Sequence, residues 1–445
     1  MTQSRILQQR ITPETVHTTL QRTMLVDGFD VVLDLERSRG VRLYDAKRRR
    51  SYLDMFSCFA SAPLGFNHDR LVEPEFVAKL GRVAANKPSN SDLFSVEMAE
   101  FVDAFARLAQ PPELPHAFFI EGGTLGVENA IKTAMDWKVR KNLGRGRGEK
   151  GHKVVHFRDC FHGRSGYTLS CTNTDPVKVL YFAKFDWPRI TNPKLSFPVT
   201  PEVLARVQDE ERRAVAEIER AFAADGDDIC AIIIEPIQGE GGDNHFRGEF
   251  LRELRRLADE HEAFLIFDEV QTGVGMTGRM WAYEHFGVVP DALAFGKKMQ
   301  MGGTVVGRRV EEIEDNVFKV PSRLNSTWGG NLVDMVRCQR ILETVAEEGL
   351  VERAARVGQH LLRRLEGLVG RHPGRAASAR GRGLFCAFDV TDKQTRGDLL
   401  KACFERGLMA IGSGERSVRF RPALVVSETD IDEAIDILDQ ALAAL

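Results

Sequence analysis

Residues 263–273 read Ala263-Phe264-Leu265-Ile266-Phe267-Asp268-Glu269-Val270-Gln271-Thr272-Gly273. Five apolar residues in a row are short for a helix and suit a strand buried on both faces. The strand delivers Asp268 to its carboxyl end, the edge at which an open parallel sheet binds ligands. A carboxylate set that deep needs a cation or a hydrogen-bond donor, or it takes up a proton. A simple helix cap after a strand is the plainer reading.

The same texture runs outward from this stretch. From about residue 95, apolar strands alternate with amphipathic helices: Ala117–Ile120, a helix from Thr124, Lys153–Phe157, and a helix over Pro201–Phe222. Ile229–Glu235, a helix over Glu249–Glu260, Phe264–Asp268 and Ala292–Phe295 continue it. Such alternation predicts an α/β fold with a mostly parallel sheet covered on both faces. Upstream, Thr12 and Pro13 open a helix running towards Leu25, and Val31–Leu35, Val41–Tyr44 and Tyr52–Phe56 predict a small antiparallel sheet. Helices dominate Asn331–Val369, and strands and a closing helix, Glu428–Leu442, complete an α+β unit. The expected division is an N-terminal segment 1–94, a large α/β domain 95–331 and a small α+β domain 332–445.

Composition bounds the rest. The 445 residues carry 61 Lys+Arg and 64 Asp+Glu, a formal charge of −3, with 43% hydrophobic and 28% charged residues. That is a globular balance, and disordered and fibrous classes drop out. There is no basic excess for nucleic acid and no apolar run near the roughly 18 residues of a spanning helix. Neither is expected as a partner. The seven cysteines are scattered, with no CxxC pair, which points to reduced thiols in the cytoplasm and no metal site. The opening MTQSRILQQRITPE reads as a short solvated head, and the basic run Trp137–Lys153 as a solvated loop after a helix.

Three further stretches put polar residues at predicted strand ends. Glu121-Gly122-Gly123-Thr124 runs into a helix, where unpaired N–H groups and the helix dipole suit a phosphate; a tight turn is the plainer reading. Phe295-Gly296-Lys297-Lys298 follows a buried strand, so one lysine can be desolvated and nucleophilic while the other faces water. Glu235-Pro236-Ile237-Gln238-Gly239-Glu240-Gly241-Gly242 puts two carboxylates in a glycine-rich loop. A phosphate cup, a strand-end Asp and a strand-end Lys are the parts that pyridoxal 5′-phosphate requires.

The stretches LIFDEVQTGVGMTG (265–278) and PDALAFGKK (290–298), with EPIQGEGG, FHGRSGYTLS and SVRFRPAL, resemble the class III aminotransferases of the fold-type-I pyridoxal-phosphate superfamily. The likeness runs from about residue 20 to the end. Within the family, NKPSNSD (86–92), EGGTLGVENA (121–130), KFDWPRI (184–190) and VPSRLNSTWGGN (320–331) are similar to the branch that acts on the 6-amino group of L-lysine. Two motifs depart from the wider class. The usual Ser-Gly-(Ala/Thr)-Glu-Ala cup is here Gly122-Gly123-Thr124-Leu125-Gly126, and Gly-Lys-Gly/Ala-Leu is here Gly296-Lys297-Lys298-Met299. The second makes the choice of Lys297 over Lys298 a matter of alignment.

The resemblance implies a role for each matching residue. Lys297 carries the cofactor's aldehyde and moves the substrate proton, Asp268 pairs with the ring nitrogen, and Gln271 bonds the ring's 3′-oxygen. Gly123 and Thr124 hold the phosphate, helped by Thr327 from the other subunit of a homodimer. Phe161 stacks on the ring, with His162 beside it. Arg164 takes the substrate's distal carboxylate. Arg419 binds a carboxylate beside the reacting carbon and is masked by Glu240 when there is none; Arg421 is its rival. Asn325 helps orient Glu240 or the substrate. The implied reaction is ping-pong transfer from L-lysine to 2-oxoglutarate, with L-glutamate released. Ornithine or 4-aminobutyrate in place of lysine, an aminomutase, and a non-catalytic cofactor-binding module are the alternatives.

Overall fold

A seven-stranded sheet organises the chain, in the order His116–Ile120, Gly302–Val306, Ala292–Phe295, Phe264–Asp268, Ile229–Ile234, Lys153–Phe157, Arg189–Ile190. The computed structural model describes residues 10–445; the solvated head expected at the N-terminus lies largely outside them. Gly302–Val306 runs antiparallel to both neighbours, and the other pairings are parallel. It went unforeseen because its Gly302-Gly303 start reads as a turn.

Residues alternate along the central strands and both faces are covered. Phe264 and Ile266 join Val127, Ile131, Ala134 and Trp137 of the helix Gly123–Gly144 in one core. Leu265 and Phe267 turn to the opposite face, with Phe105, Leu254 and Phe295. Strands buried on both sides have no polar face, which is why 263–267 reads as a continuous apolar run.

Both ends of the chain build the smaller unit. Arg42–Asp45 and Arg50–Asp54 pair antiparallel, and Leu408–Met409 adds to the second strand in parallel. A four-stranded antiparallel sheet follows, ordered Ala376–Arg382, Phe385–Val390, Ser417–Phe420, Ile411–Ser413. The helices Leu332–Glu347, Leu350–Arg371 and Glu428–Ala444 complete it.

Three local expectations are corrected. The first helix is shorter, a 3-10 turn Pro13–Thr15 leading into Val16–Leu20. Val31–Leu35 forms no strand and contributes only an isolated bridge from Leu33 to Asp45. The first half of the basic run is helix, since Gly123–Gly144 extends into it. Lys138 is buried there, its Nζ donating to the carbonyls of His261 (3.2 Å) and Glu262 (2.8 Å). Among the described residues, no helix is long and apolar enough to cross a membrane.

Candidate active site

The carboxyl ends of three neighbouring strands converge with the N-terminus of the helix Gly123–Gly144. Asp268 closes the strand Phe264–Asp268 and is 5% exposed. Its Oδ2 lies 2.8 Å from Nδ1 of buried His162, and its Oδ1 accepts from Val270 N at 3.0 Å. Burial works against a charge on His162, yet the Cys160 thiol and the Asp268 carboxylate together hold its pKa well above the ordinary imidazole value. Sequence reasoning placed His162 beside Phe161 and gave it no partner.

Lys297 and Lys298 follow the strand Ala292–Phe295. Lys298, expected to face water, is instead fully buried, and its Nζ donates to the Gln271 carbonyl at 2.7 Å. Lys297 sits at a positive φ of 46° and makes no side-chain hydrogen bond or ion pair among the described residues. Burial first, and the Arg419 charge second, depress its pKa below that of a free lysine. An uncommitted amine that loses its proton readily is a nucleophile.

The turn before the helix is built by close backbone approach. Gly122 adopts φ +85° and leaves the helix with no side-chain cap, so the first N–H groups keep no partner within the helix. A Cβ on Gly302 would stand 2.0 Å from the Gly122 carbonyl oxygen, and one on Gly296 would stand 2.8 Å from Gly123 Cα. Thr124 packs against Gly163, where a Cβ would meet its Oγ1 at 2.7 Å. The cup is therefore closed by the loop that carries Phe161, His162 and Arg164. Buried Glu235 anchors that loop, accepting from Phe161 N (3.0 Å) and Gly239 N (2.9 Å), and burial pushes its carboxyl up to about 7.

Arg419 and Arg421 both come from the end of the strand Ser417–Phe420, with different surroundings. Arg421 is fully buried, pairs with Asp243, donates from Nε to Gln271 Oε1 at 2.8 Å and lies 3.3 Å from the Phe385 ring centre. Arg419 is 2% exposed; its Nη2 meets Glu240 Oε2 at 2.9 Å, and its Nε has no partner. Gln271 accepts from Arg419 Nη1 as well, at 3.3 Å. Glu240's second oxygen pairs with Lys178, which sequence reasoning passed over. A left-handed turn at Ser57–Ala60, with φ from 39° to 65°, brings Phe59 within 6.0 Å of the Arg419 guanidinium. Four non-glycine residues there carry strain of the kind that collects at functional sites.

Arg164 is exposed and has no ion pair among the described residues. Asn325 and Thr327 are exposed, and among the described residues no hydrogen bond joins their side chains to this cluster. Their loop packs on residues 87–91: Asn90 N donates to Trp328 O (3.1 Å), Ser91 Oγ to Ser326 O (3.0 Å), and Lys87 Nζ lies 3.7 Å over the Trp328 ring. Asn325 Oδ1 accepts from its neighbour Ser326 N at 2.8 Å.

These donors fit pyridoxal 5′-phosphate. An uncapped helix start suits a dianion, a histidine-held carboxylate suits a protonated pyridine nitrogen, and a free amine suits the aldehyde. The buried His162 Nε2 and Arg419 Nε also have no hydrogen-bond partner among the described residues.

The family model of the class-III aminotransferases matches residues 25–442. An L-lysine-epsilon aminotransferase of Mycobacterium tuberculosis is 52% identical over 433 residues, covering 97% of this chain and 96% of that protein. One from Streptomyces clavuligerus is 49% identical over 433 residues, covering 97% and 94%. A solved structure of the lysine aminotransferase from M. tuberculosis superposes with a TM-score of 0.95 at 51% identity, covering 98% of this chain and 100% of that one. A match of that length, on a chain whose strand ends gather a free lysine, a histidine-held aspartate and an uncapped helix start, has one consequence: this protein belongs to the class-III aminotransferases.

Proposed function

We propose that this protein transfers the 6-amino group of L-lysine to 2-oxoglutarate by a ping-pong route. The products are 2-aminoadipate 6-semialdehyde, which closes to piperideine-6-carboxylate, and L-glutamate. Half of all positions are shared with lysine-epsilon aminotransferases. The observation that carries the reading is the Glu240–Arg419 pair at 2.9 Å, with its arginine buried. Lysine presents its reacting carbon with no carboxylate beside it, so an unmasked arginine there would be a buried, uncompensated charge. 2-Oxoglutarate does bring a carboxylate to that place, and Glu240 must then release Arg419.

Pyridoxal 5′-phosphate supplies an aldehyde and a protonated pyridine ring that takes up the electron pair left when the substrate carbon loses its proton. The chain's residues do the rest. Gly123 and Thr124 hold the phosphate, joined by Thr327 of the second copy. Asp268, fixed by His162, keeps the ring nitrogen protonated; Gln271 bonds the ring's 3′-oxygen and Phe161 covers one face. Lys297, whose pKa is lowered first by burial and then by the Arg419 charge, takes the proton from C6 of lysine. Arg164 receives lysine's α-carboxylate in a bidentate fork, and Asn325 helps orient Glu240 or the substrate.

The working unit is a homodimer with shared sites. Among the described residues no side-chain hydrogen bond joins Thr327 to the cluster of its own chain, and Leu93, Phe94, Tyr181, Phe182 and Trp328 are exposed apolar surface for a second copy. All seven cysteines are unpaired, in keeping with a cytoplasmic protein.

The test is to mix holoenzyme with L-lysine and no keto acid and record the absorption spectrum, with L-ornithine as control. Lysine alone should convert the coenzyme to its amino form. One methylene is worth only about 1–3 kcal/mol in an apolar pocket, so ornithine should react slowly. A spectrum that ignores lysine and responds to ornithine or 4-aminobutyrate overturns the substrate assignment.

A further inference from the structure

Three charges meet at Glu240. Arg419 holds one oxygen of Glu240 at 2.9 Å, and Lys178 Nζ holds the other. Lys178 ends a short turn, Pro176–Lys178, whose first residues are fastened by Asp175 Oδ1 accepting from Val177 N at 3.1 Å. Its Nζ also lies 5.5 Å over the Phe161 ring. Arg396, the other cation facing Glu240, is engaged by the carbonyls of Ser413 (3.0 Å) and Gly414 (2.7 Å). Lys178 is thus the second cation committed to Glu240.

If Glu240 masks Arg419 for one substrate and withdraws for the other, the withdrawn carboxylate must go somewhere. Its side chain is only 25% exposed, and a carboxylate there without a cation is penalised. Lys178 on the opposite oxygen lets Glu240 keep a partner after it leaves Arg419. Lys178 and Arg419 also repel one another across the shared carboxylate, and that repulsion eases as the arginine takes a second anion. Both effects favour the unmasked arrangement over the masked one.

We propose that Lys178 is a positioning residue that receives Glu240 when Arg419 is released to the α-carboxylate of the amino acceptor, and so favours dicarboxylate acceptors in the second half-reaction. The proposal rests on the masking role given to Glu240 above.

Two unreactive probes separate the effects in holoenzyme titrations. Glutarate carries both carboxylates of the acceptor; valerate carries one and needs only the distal arginine. Lys178→Met should weaken glutarate by about tenfold more than valerate, and Lys178→Arg should restore the wild-type ratio. In the Glu240→Gln background the Lys178→Met change should lose its effect, because Lys178 acts through Glu240. A loss of glutarate affinity that persists in that background means direct attraction of the dianion and overturns the proposal. So does an unchanged ratio in Lys178→Met when Glu240→Gln itself shifts the ratio towards glutarate. If Glu240→Gln leaves the ratio unmoved, the masking role falls, and the Lys178 proposal with it. Steady-state kinetics add an independent readout: KM for 2-oxoglutarate should rise in Lys178→Met far more than KM for lysine.

Discussion

Lys298 Nζ donates a 2.7 Å hydrogen bond to the carbonyl of Gln271, and that bond separates two lysines that are neighbours in the chain. Lys298 is tied to the loop carrying Gln271, and Lys297 is left with an uncommitted amine.

The first prediction follows from this division. Lys297→Ala should lower amino transfer by at least about 10²-fold, the scale of a lost general base. Lys298→Met should still let lysine convert the coenzyme, but it orphans a buried carbonyl and should cost about 1–3 kcal/mol of stability. Paired spectral and denaturant measurements check both; an inert Lys298→Met beside a working Lys297→Ala would reverse the assignment.

The two arginines should divide in the same way. Arg421→Met leaves Asp243 buried without its cation, a change worth about 3–5 kcal/mol, and should appear as a drop in unfolding midpoint. Arg419→Met should mainly raise KM for 2-oxoglutarate, because Glu240 retains Lys178. Equal stability losses in the two variants would contradict the separate roles.

The pH dependence of cofactor capture tests the electrostatics of Lys297. Burial and then Arg419 lower its pKa, and only the neutral amine attacks an aldehyde. Capture by the apoprotein should therefore rise with pH through that lowered pKa. Arg419→Met removes one depressing charge, so the rise should move to higher pH, while Arg419→Lys should leave it in place. Stopped-flow capture rates across pH decide the matter; superimposable curves for wild type and Arg419→Met would count against it.

The glycine cup makes a steric prediction. In Gly302→Ala the new methyl meets the Gly122 carbonyl at 2.0 Å. Backbone faces backbone, so the turn before the helix must shift, at about 1–3 kcal/mol, and the coenzyme should be lost faster on dialysis. Gly370→Ala, in the helix Leu350–Arg371 with nothing within 4 Å of the new Cβ, should instead be neutral or stabilising by up to about 1 kcal/mol.

Much of the molecule was legible in one dimension. Lys153–Phe157, Phe264–Asp268 and Ala292–Phe295 form at their expected bounds, because a short stretch rich in apolar residues is a local signal that burial on both faces reinforces. The elements that escaped have locally ambiguous signals. Gly302–Val306 opens like a turn and becomes a strand only because two neighbours supply its hydrogen bonds. Val31–Leu35 is apolar like a strand but finds only the isolated Leu33–Asp45 bridge.

The sequence by itself determined the strand ends, the glycine turn and the inventory of Lys, Asp, Glu and Arg, since each depends on residues close together in the chain. Tertiary structure alone decided how that inventory is paired. His162 meets Asp268 across 106 positions and Arg419 meets Glu240 across 179. Arg419 and Arg421 lie two residues apart, yet they part company because one faces Glu240 and the other Asp243. Which charge is neutralised and which stays free is set by the partners that folding places within about 3 Å of a desolvated group, and that distance is written nowhere in the order of the residues.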